Sequence, residues 1–237
     1  MMSEELLRVD GLCAGYGASQ VLEELSFTMG REAVSIVGRN GMGKTTLCNT
    51  LMGLLKSTAG QVTFGGSRID GLPAEKIARQ GIAYIPQGRR LFPSLTVDEH
   101  LAMLAKGTRG KRWTPAAVYE LFPRLAQRRK NGGAELSGGE QQMLSVGRAL
   151  LLNADLYLMD EPSEGLAPTI VDDLIGAVQQ LVAEGSAVLI VEQNLRAATS
   201  MAERQLVMVS GRIEHETTAR ELADNTDLQR QYLGVDA

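Results

Sequence analysis

The chain has 237 residues, a formal net charge of −4, and hydrophobic residues at 44% of the sequence. This composition fits one soluble globular domain, and the acidic balance argues against a general nucleic-acid binder, which would usually be basic. The two cysteines lie too far apart in sequence for a metal knuckle, which argues against a zinc site. The acidic start MMSEELLRVD lacks signal-peptide features and no apolar run reaches membrane-spanning length, so we expect a cytosolic protein.

The first predicted elements are two short strands, LLRVD and VLEELSFTM, joined by a glycine-containing loop. They indicate an antiparallel β portion near the start of the chain. Four apolar runs then predict buried strands, and helical patterns such as 45–55 and 169–184 separate them, which indicates a parallel sheet covered on both faces. The four runs are AVSIV at 33–37, GIAYI at 81–85, ADLYLM at 154–159 and AVLIV at 187–191.

Two further regions complete the predicted α/β fold. Residues 94–150 contain helical patterns, TVDEHLAML and TPAAVYELF among them, and no convincing strand. We therefore expect a helical insert between two β/α portions. The stretch VMVSGRIEHE at 207–216 predicts a hairpin that turns at Ser210 and Gly211.

The most informative stretch is AVSIVGRNGMGKTTL, where a strand leads through a glycine-rich loop into a helix. It fits G-x-x-x-x-G-K-[ST], whose glycines let backbone N–H groups converge on a phosphate at a helix N-terminus. Lys44 is placed for the β- and γ-phosphates and Thr45 for Mg²⁺. The flanking strand and helix argue against a turn that binds nothing. The predicted nucleotide-binding residues here are Gly38, Arg39, Asn40, Gly41, Met42, Gly43, Lys44, Thr45 and Thr46.

An acidic pair, Asp160 and Glu161, follows the strand ADLYLM. A strand that feeds the same sheet edge as the phosphate loop would place Asp160 to hold Mg²⁺. Glu161 would then orient and deprotonate the attacking water. Alone, such a pair is equally compatible with a surface turn; together with the phosphate loop it predicts a catalytic site.

The stretch LSGGEQQ precedes an amphipathic helical pattern. Ser137 and Glu140 are spaced as a capping box, so a structural helix start is one interpretation. A cap does not need two glycines, however, and Gly138 and Gly139 would expose backbone N–H groups as a second anion site.

LSGGEQQ, GRNGMGKTT and LMDEP together resemble the ATP-binding-cassette ATPases over nearly the whole chain. The resemblance implies one domain, 1–237, with a P-loop (RecA-like) core and an N-terminal antiparallel β portion. It implies that 1–86 and 151–237 form the core with its β portion, and that 87–150 form an inserted helical subdomain carrying the signature loop.

The resemblance also implies a head-to-tail pair of cassettes, identical or paralogous. Each ATP would lie between one chain's phosphate loop and the other chain's Ser137–Glu140 loop. Tyr16 matches the aromatic residue that stacks on adenine, and Gln87 matches the glutamine that contacts Mg²⁺ and senses the membrane partner. The loop SEGLAP, 163–168, matches the one that joins the two sites.

Several segments resemble those of ATPase subunits from branched-chain amino-acid, amide and urea importers. They are PQGRRLFPSLTVDEHL, DEPSEGLAP, VEQN and the terminal YLG. Uptake of branched-chain amino acids or a related small solute is therefore expected, with a urea or amide importer as the alternative. Permease subunits would contact the Gln87–Val97 region and hold the chain at the inner face of the membrane. A cassette acting on nucleic acid or the ribosome is disfavoured by the acidic charge, and a non-hydrolysing module by intact Lys44, Asp160 and Glu161.

The stretch VLIVEQN, 188–194, contains one departure from the family. Gln193 stands where cassette ATPases usually have a histidine that contacts the γ-phosphate. A glutamine amide can donate to a phosphate oxygen but cannot carry a proton or a charge. We therefore predict that Gln193 is a neutral γ-phosphate sensor and that Glu161 is the only base.

Overall fold

A computed structural model describes residues 5–105 and 112–233. Gly234 of the terminal YLG lies outside the described residues. Ten strands are formed within them: β1 (Leu7–Tyr16), β2 (Ser19–Met29), β3 (Ala33–Val37), β4 (Ser57–Phe64), β5 (Ser67–Arg68), β6 (Ile82–Ile85), β7 (Leu156–Asp160), β8 (Ala187–Glu192), β9 (Arg204–Val209) and β10 (Arg212–Thr218).

The helices in the same ranges lie mostly between the strands. They are α1 (Lys44–Leu51), α2 (Ala74–Gln80), α3 (Val97–Ala105), α4 (Pro115–Leu121), α5 (Pro123–Gln127), α6 (Gly138–Leu150), α7 (Pro168–Ala183), α8 (Leu195–Met201), α9 (Ala219–Asp224) and α10 (Thr226–Leu228). Four of them, α3 to α6, separate β6 from β7, where the sequence predicts a helical insert. Among the described residues, none of the helices combines the length and apolar character needed to cross a bilayer.

The larger sheet has six strands in the order β10-β9-β3-β8-β7-β6. All neighbours from β9 to β6 are parallel, and β10 pairs antiparallel with β9 at the edge. Successive residues of β7 alternate between two apolar clusters, Leu156 and Leu158 on one face and Tyr157 and Met159 on the other. The continuous apolar runs in the sequence arise because both faces of this sheet are buried.

The smaller sheet is antiparallel, in the order β2-β1-β4-β5, and shares an apolar cluster with α1. Of its four strands, only β1 and β2 were predicted from the sequence. In β4, Val62 and Phe64 are buried while Gln61 is exposed, so a short alternating pattern was present. The predicted hairpin of β9 and β10 is confirmed, and Ser210 and Gly211 both have positive φ, 46° and 79°.

Candidate nucleotide site

The phosphate loop joins the end of β3 to the start of α1. Gly43 caps α1 with φ of 105°, a left-handed conformation that favours glycine. A Cβ at this position would also lie 3.0 Å from Leu22 Cδ2. The loop therefore requires glycine at 43 for backbone conformation and for its close approach to β2.

Lys44 is almost fully buried, with a side chain 4% exposed. Its Nζ donates to the carbonyl oxygens of Gly38 at 2.8 Å and Arg39 at 3.1 Å, and lies 3.3 Å from Glu161 Oε1. The loop is thus closed around its own lysine. A phosphate that binds Lys44 has to replace Glu161 as the anionic partner.

The β9–β10 turn supports the phosphate loop from outside. Gly211 N–H donates to Met42 O at 3.0 Å, and Ser210 N–H points at Met42 Sδ at 3.2 Å. The hairpin was predicted from the sequence, but this contact was not, because it depends on β9 lying beside β3. The turn fixes the middle of the loop by backbone contacts.

Thr45 and Asp160 form an oxygen cluster at the carboxyl end of the parallel strands. Thr45 Oγ1 donates to Asp160 Oδ1 at 3.0 Å, and Asp160 is 1% exposed. Burial raises the pKa of Asp160 above the usual aspartate value, although hydrogen bonds from Tyr84 and Thr45 oppose this. Hydroxyl and carboxylate oxygens are ligands that Mg²⁺ prefers, so these are the residues that fit that ion.

Glu161 adopts φ of 48°, uncommon for a residue other than glycine, and its N–H donates to Val191 O at 2.9 Å. Its Oε2 accepts from Gln87 Nε2 at 3.1 Å, and the same amide nitrogen donates to Glu164 Oε2 at 2.9 Å. Glu164 was missed as a site residue, although its position in SEGLAP placed an acid three residues after Glu161. Gln87 is thus held by two carboxylates.

A cavity of about 340 Å³ lies against the phosphate loop. Lys44, Thr45 and Glu161 line it together. Gln193 also lines this cavity, and its contact with the γ-phosphate stays a prediction. The cavity is lined by Val21, Asn40, Gly41, Gly43, Lys44, Thr45, Thr46, Gln87, Glu161, Glu164 and Gln193.

Several predicted site residues do not line this cavity, among them Gly38, Arg39, Met42 and Asp160. Two further predicted contact regions also lie outside its wall. Tyr16 lies at the tip of the β1–β2 hairpin and is 53% exposed. The Ser137–Glu140 segment lies at the start of α6, and it too is absent from the cavity wall among the described residues. The adenine contact of Tyr16 and the ATP contact of the signature loop therefore stay predictions.

The predicted capping box at α6 is confirmed. Glu140 N–H donates to Ser137 Oγ at 3.3 Å, and Ser137 N–H donates to Glu140 Oε2 at 2.8 Å. The glycines have a reason inside the chain that the sequence did not reveal. A Cβ at Gly138 would lie 3.1 Å from an Arg89 guanidinium nitrogen, and one at Gly139 would lie 2.8 Å from Ile170 Cγ1.

Directly after Gln87 the chain makes a tight left-handed turn. Gly88, Arg89 and Arg90 have φ of 80°, 63° and 43°, and Arg90 N–H donates to Gly88 O at 2.6 Å. Left-handed backbone costs a residue other than glycine roughly 1–2 kcal/mol. The segment that leads from Gln87 towards the predicted permease surface is therefore strained.

Glu192, at the end of β8, is buried and was missed as a functional position. Its Oε1 accepts from Ser163 N–H at 2.9 Å, and its Oε2 accepts from the N–H groups of Gln193 at 3.2 Å and Asn194 at 3.3 Å. Burial raises the pKa of Glu192 above the usual glutamate value. This carboxylate joins the loop after Glu161 to the loop that carries Gln193.

Comparisons with known proteins agree with this geometry. Residues 22–164 match a family model described as ABC transporter. The chain is 40% identical to the high-affinity branched-chain amino acid transport ATP-binding protein BraG of Pseudomonas aeruginosa, covering 97% of this chain and 100% of BraG. It is 32% identical to the lipopolysaccharide export system ATP-binding protein LptB of Haemophilus influenzae, covering 97% of each.

A solved structure gives the same result for the fold. The crystal structure of a nucleotide-free ATP-binding cassette from an ABC transporter matches with a TM-score of 0.84 and 25% identity, covering 99% of this chain and 100% of that chain. The predicted α/β fold class and the family resemblance drawn from the sequence motifs are both confirmed.

Proposed function

The chain belongs to the ABC transporter family as an ATPase subunit, and from this premise we propose that it drives uptake of branched-chain amino acids or a related small solute. The observation that carries the proposal is the similarity to BraG along the full length of both chains. LptB is also similar over nearly its whole length, so export of a lipid-linked solute is the competing function.

The chain's own residues divide the hydrolytic work. Lys44 would bind the β- and γ-phosphates, and Thr45 and Asp160 would hold Mg²⁺, which neutralises phosphate charge when bound. Glu161 takes a proton from the attacking water. Gln87 donates from its amide nitrogen to Glu161 and so holds the base in place.

The cavity on one chain supplies half of the proposed site. In the described residues the signature loop does not line it, so a second cassette, identical or paralogous, is proposed to present its own Ser137–Glu140 loop. Closure of the pair on ATP shifts a population towards the closed state, because the nucleotide makes more contacts there. A single chain should therefore be a poor ATPase.

A groove beside Gln87 is the proposed contact for permease subunits. It has a volume of about 280 Å³ and is lined by both polar and apolar side chains. Phe92 is 49% exposed next to it, so the surface offers an aromatic anchor together with arginines. Through such a partner the chain would reside at the inner face of the membrane. The lining residues are Tyr84, Pro86, Arg89, Arg90, Leu104, Ser145, Arg148, Ala149 and Leu152.

Transport assays in proteoliposomes test the proposal. This chain would be purified with the permease subunits encoded beside its gene, and uptake of labelled leucine, isoleucine and valine would be measured with and without ATP. ATP-dependent uptake of these amino acids is expected. Transport of urea or acetamide alone would support the alternative importer, and failure to co-purify with any permease would contradict the transport role.

Replacing Gln193 tests its role as a neutral γ-phosphate sensor. Gln193→Ala should slow ATP hydrolysis about 10- to 150-fold, because a hydrogen bond to an anionic oxygen is worth roughly 1.5–3 kcal/mol. Gln193→His should keep hydrolysis, since imidazole can also donate. Steady-state ATPase rates measure both. Gln180→Ala on α7, an exposed glutamine outside the cavity, is the matched control; equal rates for Gln193→Ala and wild type would refute the role.

A further inference from the structure

Tyr84 places a hydroxyl group against the carboxylate expected to hold Mg²⁺. Its Oη donates to Asp160 Oδ2 at 3.0 Å. The contact follows from strand register: Tyr84 on β6 pairs with Leu158 on β7, and Asp160 lies two residues further along the same face. No sequence motif marks this tyrosine, because its partner is 76 positions away.

The two oxygens of Asp160 are held from different elements. Thr45 donates to Oδ1 from α1 and Tyr84 donates to Oδ2 from β6, each at 3.0 Å. The terminal torsion of an aspartate is broad, so one hydrogen bond leaves the carboxylate plane free to turn. Two donors on opposite oxygens fix that plane.

The Tyr84 hydroxyl has Asp160 as its nearer acceptor. A second acceptor, Asn49 Oδ1, lies farther away at 3.5 Å. The ring also lines the groove beside Gln87. Ring packing alone does not require a half-buried hydroxyl group against a buried carboxylate, because phenylalanine would fill the same space.

We propose that Tyr84 is a positioning residue for the metal-binding carboxylate: together with Thr45 it fixes the plane of the Asp160 carboxylate that would hold Mg²⁺. The inference rests on the proposed Mg²⁺-dependent ATP hydrolysis. Tyr84 touches neither nucleotide nor water in this role and acts through Asp160. Loss of a second residue that orients a metal ligand typically lowers metal affinity or activity about 10- to 100-fold.

The test is Tyr84→Phe, which removes one oxygen and keeps the ring. The chain also offers a matched control, since Tyr119 Oη donates to Asp98 Oδ1 at 2.5 Å in the helical region. At saturating ATP, the Mg²⁺ concentration for half-maximal hydrolysis should rise about tenfold in Tyr84→Phe and stay within twofold of wild type in Tyr119→Phe.

Thermal unfolding gives a readout independent of turnover. Each protein is melted alone, with ATP and EDTA, and with ATP and MgCl₂. In Tyr84→Phe, the rise in melting temperature caused by ATP (the ATP increment) should remain, and the further rise caused by Mg²⁺ (the Mg²⁺ increment) should shrink. In Tyr119→Phe both increments should match wild type. Substituting Mn²⁺ and measuring its binding by electron paramagnetic resonance should show the same selective loss.

The outcomes separate this inference from the proposed function. The inference would be overturned if Tyr84→Phe keeps the wild-type Mg²⁺ dependence of hydrolysis and the wild-type Mg²⁺ increment. A lower melting temperature without ligand would not rescue it, because that change alone indicates only a role in packing. Equal losses of the ATP and Mg²⁺ increments would also overturn it. Because a single chain should be a poor ATPase, hydrolysis is measured on the complex with the second cassette and the permease subunits; if the wild-type complex shows no Mg²⁺-dependent hydrolysis, the proposed function fails before Tyr84 is tested.

Discussion

Glu161→Gln should slow ATP hydrolysis roughly 10²- to 10⁴-fold, the contribution expected of a positioned general base. Glutamine keeps the size of the side chain and a carbonyl oxygen, so Gln87 retains an acceptor at the 3.1 Å contact. It cannot accept a proton from water. Gln193 is an amide as well and cannot replace the base. None of the described residues that line the cavity is a histidine.

The same substitution should strengthen ATP binding. Glu161 is the carboxylate next to Lys44, at 3.3 Å, and it competes with phosphate for that ammonium group. Removing the charge frees Lys44 and reduces repulsion of the γ-phosphate. Single-turnover hydrolysis and equilibrium binding of a fluorescent ATP analogue would measure the two effects, and Glu161→Gln should accumulate as an ATP-bound pair.

Glu164→Gln is the informative comparison, because Glu164 contacts the same Gln87 amide at 2.9 Å and lines the same cavity. If Glu161 is the base, Glu164→Gln should lower the rate less than about tenfold, the loss of one hydrogen bond of ordinary strength. A large rate loss in Glu164→Gln with a small one in Glu161→Gln would assign the general base to Glu164. Normal turnover by Glu161→Gln would exclude Glu161 as the base.

Lys44→Ala should weaken ATP binding by at least about tenfold and up to about 150-fold, and should abolish measurable hydrolysis. One charge-assisted hydrogen bond is worth roughly 1.5–3 kcal/mol, and Lys44 is placed to contact two phosphates. The variant also leaves Gly38 O and Arg39 O without the donor they have in the native loop. Isothermal titration with ATP measures the loss directly.

Lys56→Ala provides the control. Lys56 has an exposed side chain and does not line the cavity, so its truncation removes an equal charge without the contacts of Lys44. We expect its ATP affinity to fall less than threefold, on the scale of an exposed charge. Similar losses in both variants would mean that general positive charge, not the position of Lys44, attracts the nucleotide.

Much of the fold could be predicted because its central strands are apolar throughout. The runs that become β3, β7 and β8 have no polar alternation, which marks a sheet buried on both faces. β4 and β5 escaped because β4 has exposed residues over its first half and β5 has two residues. Both strands are defined by pairing with a neighbour: β4 pairs with β1, and the short edge strand β5 pairs with β4.

The site could be predicted where function lies in consecutive residues. The phosphate loop, Asp160 with Glu161, and Ser137 with Glu140 are local patterns whose chemistry depends on spacing. Tyr84, Glu164 and Glu192 were missed because their roles arise from strand register and loop return, which bring distant positions within 3 Å or so of their partners. For Tyr84 and Glu192 the sequence signal was only a polar group within, or at the end of, an apolar strand, and for Glu164 only an acid three residues after Glu161.

The left-handed turn after Gln87 has a consequence for how such a chain tolerates change. At 89 and 90 glycine would adopt the observed backbone at lower conformational energy than arginine. If folding stability were the only constraint, glycine would therefore be favoured over arginine at both positions. Arg89 has a side-chain contact that glycine would lose, since its guanidinium group lies against Gly138, and Arg90 lines the groove beside Gln87.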